Sequence, residues 1–456
     1  MSSPEFTQED DLRIAVIGGG PAGSFFSYFA LLFGQRLGKK PQVDIYDPRD
    51  FSQKGPIGCN MCGGIISESL IQSLAMEGII LPESVVQRGI DSYVMHTEVG
   101  TCRLETPTQE KRIAAVHRGG GPRTAQVVKW QSFDGHLLKL ATGKGATFHR
   151  GRVSSLSWNN GKPQVQVGSL PAQTYDLLVG AVGVNSPDLT LFENLGFRYQ
   201  RPRIVKTYIA ELFFGSETVK KLFGSSMHVF LLNLPRLDFA ALIPKGDFVT
   251  LCLLGTNIEK TLIASFFDHP AVRECFPPGW SLPADSCHCS PKMSFGEAQH
   301  PFADRVVLIG DSGASRLYKD GIGAAFRTAR AAARTAIFSG ITAEDFSRSY
   351  LPEYRRITRD NTFGKAIFSV VHVIKHLNIT SRAVIDVVVR EGKMPGSARR
   401  MSVILWDVFT GSSLYRDIFY RTLHPVFLVR FLSGLLRSMA GFGGKDSRRE
   451  SSSGPA

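Results

Sequence analysis

A glycine-rich turn behind a short apolar run limits the fold of this chain more than any other feature. The run Leu12–Ile17 leads into Gly18-Gly19-Gly20-Pro21-Ala22-Gly23, which fits the pattern G-x-G-x-x-G. The segment 22–37 is rich in Phe, Leu and Ala and predicts a helix, and the segment 42–46 predicts a second strand. A strand, a glycine turn, a helix and a strand in this order predict a βαβ unit that begins a parallel sheet.

Each glycine of this turn has its own physical role in a dinucleotide site. Gly18 makes the tight turn, Gly20 lets a pyrophosphate approach the backbone, and Gly23 lets helix and strand pack closely. The helix N-terminus supplies N–H donors to phosphate, and an acid that ends the second strand accepts from ribose hydroxyls. A purely structural turn is the alternative. The predicted cofactor-binding residues of this unit are Gly18, Gly20, Pro21, Ala22, Gly23 and Asp47.

A second glycine pattern, far along the chain, separates a flavin from a nicotinamide cofactor. An apolar strand ends in Gly310-Asp311, and after a loop Gly321 and Gly323 open an Ala-rich helix. A carboxylate at a strand end can bind a ribityl or ribose hydroxyl. The helix N-terminus can face the flavin edge where negative charge grows on reduction. We therefore expect all four residues to bind FAD, with a simple helix cap at Asp311 as the structural alternative.

Together these motifs resemble the flavoproteins that group para-hydroxybenzoate hydroxylase with geranylgeranyl reductases and flavin-dependent halogenases. A third superfamily motif, D-L-V-V-G-A-D-G-V-N-S, is similar to the segment 176–186, which keeps the glycine at Gly183. The family's acid before that glycine is Val182 here, which counts against an NADPH-dependent aromatic hydroxylase. The resemblance covers about residues 12–365. It implies FAD as the cofactor, with NADPH or ferredoxin as candidate electron donors.

Within the superfamily, the geranylgeranyl reductases match best. Their C-G-G-G loop resembles Cys62-Gly63-Gly64-Ile65, which implies that Cys62 and Gly63 lie at the flavin and that Cys62 is catalytic. Their R-x-x-F-D-x-x-L pattern is echoed by Arg123 and the segment 133–137. Arg123 follows a Gly-rich loop and can donate to the FAD phosphates, or it belongs to a surface turn. Val153, within predicted strands over 146–158, joins the expected cofactor residues.

The reductases' substrate signature, Y-x-W-x-F-P, is echoed at 239–244, where Phe replaces Tyr and Ala replaces Trp. The resemblance implies that this segment forms a wall of the substrate site, with fewer aromatic side chains than in the reductases. An apolar molecule larger than a polyprenyl chain, or differently shaped, then fits where the Trp is missing. The wall residues are Phe239, Ala241, Ile243 and Pro244.

The cysteines and histidines leave several interpretations open. Cys59 and Cys62 form a C-x-x-C that is a redox pair, half of a metal site, or a pair in which only Cys62 acts at the flavin. The metal alternative adds Cys287 and Cys289, with Cys275 or His288 nearby; we expect no metal. His96, His228 and His372 are isolated in sequence and are interpreted as structural, while Cys102 and Cys252 are expected to be buried.

The charge of the chain is unevenly distributed. The 456 residues contain 53 Lys and Arg and 40 Asp and Glu, a net charge of +13. From residue 365 onward, 14 basic and 6 acidic residues contribute +8 of that excess in a segment that is also apolar. This pattern is typical of a helical part that lies on an anionic membrane surface, or of one that caps the body of the protein. No nucleic-acid partner and no transmembrane segment are expected.

These observations predict an α/β flavoprotein with a Rossmann-like FAD domain, an inserted antiparallel-sheet substrate domain and a helical C-terminal region. The expected function is reduction of a carbon–carbon double bond in an apolar, isoprenoid- or lipid-like substrate by hydride from the flavin. The alternatives are a flavin-dependent monooxygenase or halogenase, and a non-catalytic FAD- or lipid-binding protein. The expected location is cytoplasmic, with the inner membrane face as a second location. The predicted ranges are 12–60, 110–200 and 290–365 for the FAD domain, 61–109 and 201–289 for the substrate domain, 366–446 for the helical region and 447–456 for a disordered tail.

Overall fold

The structure, a computed structural model, describes residues 11–59, 62–106, 113–126 and 130–440. The strands β1 to β21 are, in chain order, Arg13–Ile17, Gln42–Asp47, Ile65–Ile66, Val86–Ile90, Ser92–Thr97, Gly100–Glu105, Ile113–Val116, Thr147–Arg150, Val153–Asn159, Lys162–Val167, Gln173–Thr174, Leu177–Gly180, Ile204–Lys206, Tyr208–Phe213, Ser226–Leu231, Leu237–Lys245, Phe248–Gly255, Cys287–Cys289, Lys292–Ser294, Phe302–Ala303 and Val306–Leu308. The helices α1 to α14 are Pro21–Arg36, Glu68–Met76, Phe133–Gly143, Leu189–Glu193, Ser216–Phe223, Lys260–Asp268, Pro270–Arg273, Gly321–Phe338, Ala343–Asp345, Leu351–His376, Asn378–Gly392, Arg400–Thr410, Tyr415–Thr422 and Pro425–Met439.

A six-stranded sheet forms one half of the molecule. Its order is β20-β21-β12-β1-β2-β8, and all neighbouring pairs are parallel except β20 with β21. Among the parallel strands, chain order runs outward in both directions from β1, so the topology reverses between β1 and β12. In such doubly wound sheets, ligands bind outside the carboxyl ends of the strands at this reversal. The predicted α/β class with a Rossmann-like sheet is confirmed.

Helices α1 and α8 cover one face of this sheet and pack on each other through aromatic side chains. The Phe326 ring of α8 meets the rings of Phe25 and Phe29 of α1 edge-on, with centroids 5.3 and 5.5 Å apart. Helix α8 begins at Gly321, the first glycine of the pair that opens it. Helix α2 begins at Glu68, because Ser67 accepts a hydrogen bond from the Leu70 amide and caps it, and Ile65 and Ile66 lie in a strand.

A seven-stranded sheet, in the order β18-β14-β17-β16-β15-β5-β6, forms the other half, and only β15 and β5 pair in parallel. Because side chains alternate along a strand, the sheet presents two different faces. We call them the cavity face and the opposite face. The cavity face carries Met227, Phe239, Ala241, Ile243 and Cys252. The opposite face carries His228, Phe230, Ala240, Leu242 and Leu251, and helices α5 to α7 cover it.

The C-terminal helices pack against the edge of the seven-stranded sheet. Val384, Ile385 and Val388 of α11 share a hydrophobic core with Tyr93 of β5 and Leu104 of β6. The strands of the six-stranded and seven-stranded sheets fall within the ranges predicted for the two domains. A small sheet, β3-β7-β4, joins segments from both ranges, and α10 runs across the expected start of the helical region. Within the described residues, no helix is long and apolar enough to cross a membrane.

Candidate functional site

A cavity of about 480 Å³ lies where the carboxyl ends of the parallel strands meet the cavity face of the second sheet. Its walls contain most of the predicted site residues: Gly18, Gly20, Pro21, Ala22, Asp47, Cys62, Gly63, Val153, Gly183, Asp311, Gly321, Phe239, Ala241 and Ile243. The structure thus brings the N-terminal glycine turn and the distant Asp311 into one cavity. Five predicted site residues lie outside its lining: Gly23, Arg123, Gly310, Gly323 and Pro244.

The glycine turn has the tight geometry that the sequence predicts. Gly18 has a φ of +110°, and a Cβ there would lie 2.4 Å from the Ala181 carbonyl oxygen. A Cβ at Gly23 would lie 1.9 Å from the Gly18 carbonyl oxygen, so Gly23 serves helix packing rather than the cavity wall. Gly20 precedes α1, which Pro21 begins. The first N–H groups of α1 therefore face the cavity without a capping side chain.

Asp47 ends β2 and is almost completely buried. Its Oδ2 accepts hydrogen bonds from the Gly19 amide and from Arg49 Nη2, both at 2.8 Å. Its Oδ1 accepts from the Arg49 amide at 2.9 Å and from Arg49 Nε at 3.0 Å. Four donors fill the acceptor sites of one carboxylate. A ribose hydroxyl at Asp47 would therefore replace a contact with Arg49, which also lines the cavity.

Asp311 and Arg118 bring opposite charges to the cavity. Asp311 Oδ1 is buried and has no hydrogen-bond partner among the described residues. Burial raises the pKa of Asp311, although Ser315 and Arg118 oppose the shift. Burial disfavours the Arg118 cation, but Asp134, whose Oδ2 accepts from Arg118 Nη2 at 3.0 Å, and Cys62 together outweigh this effect and raise the Arg118 pKa. Arg118 also interacts with Cys62, whose sulfur accepts from the Gly64 amide at 3.4 Å.

The loop between Asp311 and α8 presents one more cation to the cavity, Lys319. Its Nζ lies 4.3 Å from the centroid of the Phe239 ring, and burial lowers its pKa to about 8. The residues on either side, Tyr318 and Asp320, have positive φ angles of +59° and +56°. Left-handed backbone at residues other than glycine costs free energy and is concentrated at functional sites.

The C-terminal helices hold this strained loop in place through the buried Arg316. Arg316 Nη1 donates to the Gly411 carbonyl at 2.5 Å and Nη2 donates to the Ser413 carbonyl at 2.7 Å. Arg316 also forms an ion pair with Asp360 of α10 at 3.6 Å. Phe409 and Thr410 of α12 line the cavity as well. This part of the C-terminal region therefore closes the cavity.

Two sequence predictions need revision at the cavity wall. Arg123 packs against Gly55 and does not reach the lining, where Arg118 stands instead. Pro244 follows Ile243 on β16, so the two-residue period of the strand turns it away from the cavity. Arg118 stands in the Gly-rich loop 117–123, and Lys319 stands two residues before Gly321. Their charges beside glycines were the signal that could have identified them.

The cysteines and histidines are arranged differently from the expectations. Cys59, Cys62 and Cys252 line the cavity, and Cys252 is buried as expected, as is Cys102. Among the described residues, the group of side chains with metal-ligand geometry is not the one built from Cys59, Cys62, Cys287 and Cys289. It consists of His96, His228 and Cys275. The two histidines are far apart in sequence, but the fold brings them together, with His96 Nε2 3.0 Å from His228 Nδ1.

Solved structures with the same fold are flavin enzymes. The flavin-dependent brominase Bmp2 has a TM-score of 0.58 at 14% identity, over 87% of this chain and 99% of its own. The halogenase PltM, in complex with phloroglucinol and FAD, has a TM-score of 0.57 at 13% identity, over 94% and 92%. The tetrameric 2-methyl-3-hydroxypyridine-5-carboxylic acid oxygenase has a TM-score of 0.56 at 14% identity, over 86% and 96%. Neither a protein-family model nor a curated protein sequence matches this chain. The fold is therefore that of flavin-dependent halogenases and oxygenases.

Proposed function

We propose that this protein is an FAD-dependent oxidoreductase that activates oxygen, of the monooxygenase or halogenase class. One observation carries the proposal. The glycine turn at the N-terminus of α1 and Asp311, whose Oδ1 is buried, face one cavity, at the point where the topology of the parallel sheet reverses. In doubly wound sheets this point is where dinucleotides bind.

The residues that line the cavity fit FAD. The uncapped N-terminus of α1 suits a pyrophosphate, and the unpartnered Asp311 Oδ1 suits a ribityl hydroxyl. Gly183 has a φ of +71°, and a Cβ there would meet no atom within 4 Å, so the backbone is open to a planar ring at this position. Bound FAD would supply the redox chemistry. The chain's own residues would bind the cofactor, orient it and exclude water.

The substrate half of the cavity favours an apolar molecule with one acidic hydroxyl group. Phe239, Ala241, Ile243 and Met227 form an apolar wall, and Lys319 is the cation that stands over it. Since burial lowers the Lys319 pKa to about 8, the amine is mostly protonated at neutral pH and can pair with a phenolate. A small phenol therefore suits this wall better than an isoprenoid chain.

The reduction of a carbon–carbon double bond, expected from the sequence resemblance, is the less favoured function. The similar solved structures are halogenases and an oxygenase, and none of the three described above is a reductase. The fold alone does not decide between the two chemistries. The choice between oxygen activation and double-bond reduction therefore depends on an experiment in which the reduced enzyme is offered substrates for both reactions.

The experiment uses the FAD-loaded full-length protein, reduced with dithionite, and two probes. With phloroglucinol, air and bromide, we expect a hydroxylated or brominated product by mass spectrometry, formed only when oxygen is present. With geranylgeraniol under anaerobic conditions, we expect no reoxidation of the flavin. Reoxidation by geranylgeraniol, with no product from phloroglucinol, would overturn the oxygen-activating assignment in favour of the reductase. Lys319→Met should retain FAD and lose the phenol reaction.

We also propose that α14 lies on an anionic membrane surface. Its exposed side is apolar and includes Leu428, Val429, Leu432, Leu436 and Met439. The two arginines of α14 pair with acids of α11, Arg430 with Glu391 at 3.0 Å and Arg437 with Asp386 at 2.8 Å. Insertion of the apolar side, rather than attraction of these arginines to lipid, would therefore supply most of the affinity.

Flotation with vesicles of phosphatidylserine and phosphatidylcholine tests this surface. The double variant Leu428→Asp/Leu432→Asp should float less than the wild type. Leu170→Asp, which changes a leucine that is more exposed than Leu428 or Leu432 and lies far from α14 in sequence, should float as the wild type does. Equal flotation of all three proteins would refute the membrane proposal.

A further inference from the structure

Three side chains with metal-ligand chemistry meet on the opposite face of the seven-stranded sheet. His96 comes from β5, His228 from the neighbouring β15, and Cys275 from the segment just after α7. All three are buried, and their candidate ligand atoms lie within 4.8 Å of one another. None of them lines the large cavity. We call this group the His–His–Cys cluster.

The distances within the cluster suit a tetrahedral ion with nitrogen and sulfur ligands. With Zn–N bonds of about 2.0–2.1 Å and a Zn–S bond of about 2.3 Å, a tetrahedron has N···S edges of roughly 3.6 Å and an N···N edge of roughly 3.3 Å. Cys275 Sγ lies 3.5 Å from His228 Nδ1 and 3.7 Å from His96 Nε2. The two imidazole nitrogens lie 3.0 Å apart. Only this last edge must open, by a few tenths of an ångström.

The surroundings orient the ligands as metal sites require. His96 Nδ1 lies 3.1 Å from Thr101 Oγ1, so a proton on Nδ1 leaves the lone pair of Nε2 directed into the cluster. The Phe230 ring stacks on the His96 ring at a centroid distance of 4.5 Å and an angle of 11°.

We propose that the His–His–Cys cluster binds one Zn²⁺. On binding, the Cys275 S–H bond breaks, a Zn–S bond forms and the proton goes to solvent. The proton on His228 Nδ1, which lies between the two rings, moves to His228 Nε2. His228 Nδ1 is then free to bind the metal. Because no fourth His, Cys, Asp or Glu of the described residues joins the cluster, a water molecule takes the fourth position.

The zinc ion would link the segment that contains α6 and α7 to the seven-stranded sheet. Cys275 follows α6 and α7, whose side chains Leu262, Phe266 and Val272 cover the opposite face. The two histidines belong to the sheet itself. The ion therefore links residues far apart in sequence, and it stabilises the folded chain because the unfolded chain has no such preformed site.

Metal analysis of the full-length protein tests the proposal. Wild-type protein purified without chelator, and then dialysed against Zn²⁺ and buffer, should hold about one tightly bound zinc per chain by mass spectrometry. Cys275→Ala should lose this ion. Cys102→Ala removes an equally buried thiol from the adjacent strand β6 and should retain it. Zinc retained by Cys275→Ala as well as by Cys102→Ala, or less than a tenth of an ion in the wild type, would overturn the proposal.

A second measurement needs no variant and so does not depend on its folding. Wild-type protein loaded with Co²⁺ should show a thiolate-to-cobalt absorption band and the intense visible bands of a four-coordinate site. The melting temperature should rise with added Zn²⁺ and fall with a chelator. A cobalt spectrum without a thiolate band, or copper bound in place of zinc, would refute the assignment.

Discussion

The two faces of the seven-stranded sheet are built from alternate residues of the same strands, yet they differ in almost every physical property. The cavity face leaves open space beside Met227, Ala241 and Cys252 and lies opposite the charged groups Lys319 and Asp311. The opposite face is tightly covered by helices, and its two histidines, His96 and His228, are buried and lie 3.0 Å apart. Because side chains alternate along each strand, the same strands form the candidate active site on one face and a helix-covered core on the other.

The largest expected effect comes from two residues of β15 that point in opposite directions. Phe230 is fully buried and packs between His96 and Phe266, so Phe230→Ala should cost about 3–5 kcal/mol of stability. Met227 already borders the cavity, and Met227→Ala should cost near the lower limit for such a change, about 2 kcal/mol. Urea unfolding of the two variants checks the difference. A larger loss for Met227→Ala would contradict the proposed division between the faces.

The turns, strand ends and helix starts of the site could be predicted from the sequence, whereas the contacts between distant segments could not. The turn Gly18–Gly23 and the strand that ends in Asp47 are specified by neighbouring residues, since turn geometry and helix capping act within a few positions. The same holds for Gly321 at the start of α8. The position of Phe239, Ala241 and Ile243 follows from the alternation of one strand.

The contacts between distant segments left no local signal. Arg316 is fixed by carbonyls almost a hundred residues later, and His96 and Cys275 are separated by 179 residues. A single histidine in a strand looks the same whether or not a partner lies on the next strand. Arg123 was selected because of its glycine-rich neighbourhood, but the backbone path, which only the tertiary structure defines, brings Arg118 to the cavity.

The next effect concerns the Lys319 amine, which lies over the apolar wall. The Lys319 pKa falls from 10.5 in the unfolded chain to about 8 in the fold, so between these pH values the unfolded state holds more protons. This residue's contribution should therefore raise the stability of the wild type as pH increases from 8 to 10.5, by up to roughly 3 kcal/mol. Lys319→Met should remove that pH-dependent increment. Urea unfolding of both proteins at pH 7 and pH 10 measures it, and an equal pH dependence would show that Lys319 titrates normally.

The smallest expected effect compares neighbouring alanines of β16. Ala240 is completely buried on the opposite face, so Ala240→Val should overpack it and cost about 1–3 kcal/mol. Ala241→Val adds the same methyl groups to the cavity wall, where there is space, and should change stability little. It should instead weaken the binding of a small phenol such as phloroglucinol, measured by calorimetry on FAD-loaded protein. A large loss of stability for Ala241→Val, with little loss for Ala240→Val, would mean that the open space lies on the opposite face and not on the cavity face.

The absorption spectrum of the purified protein shows whether the glycine turn and Asp311 hold one flavin dinucleotide between them. We predict the two visible bands of a bound oxidised flavin and about one FAD per chain after denaturation. Asp311→Ala, which removes the carboxylate without changing the turn, should bind FAD more weakly. A colourless wild-type protein that takes up no FAD when the cofactor is supplied would contradict the account.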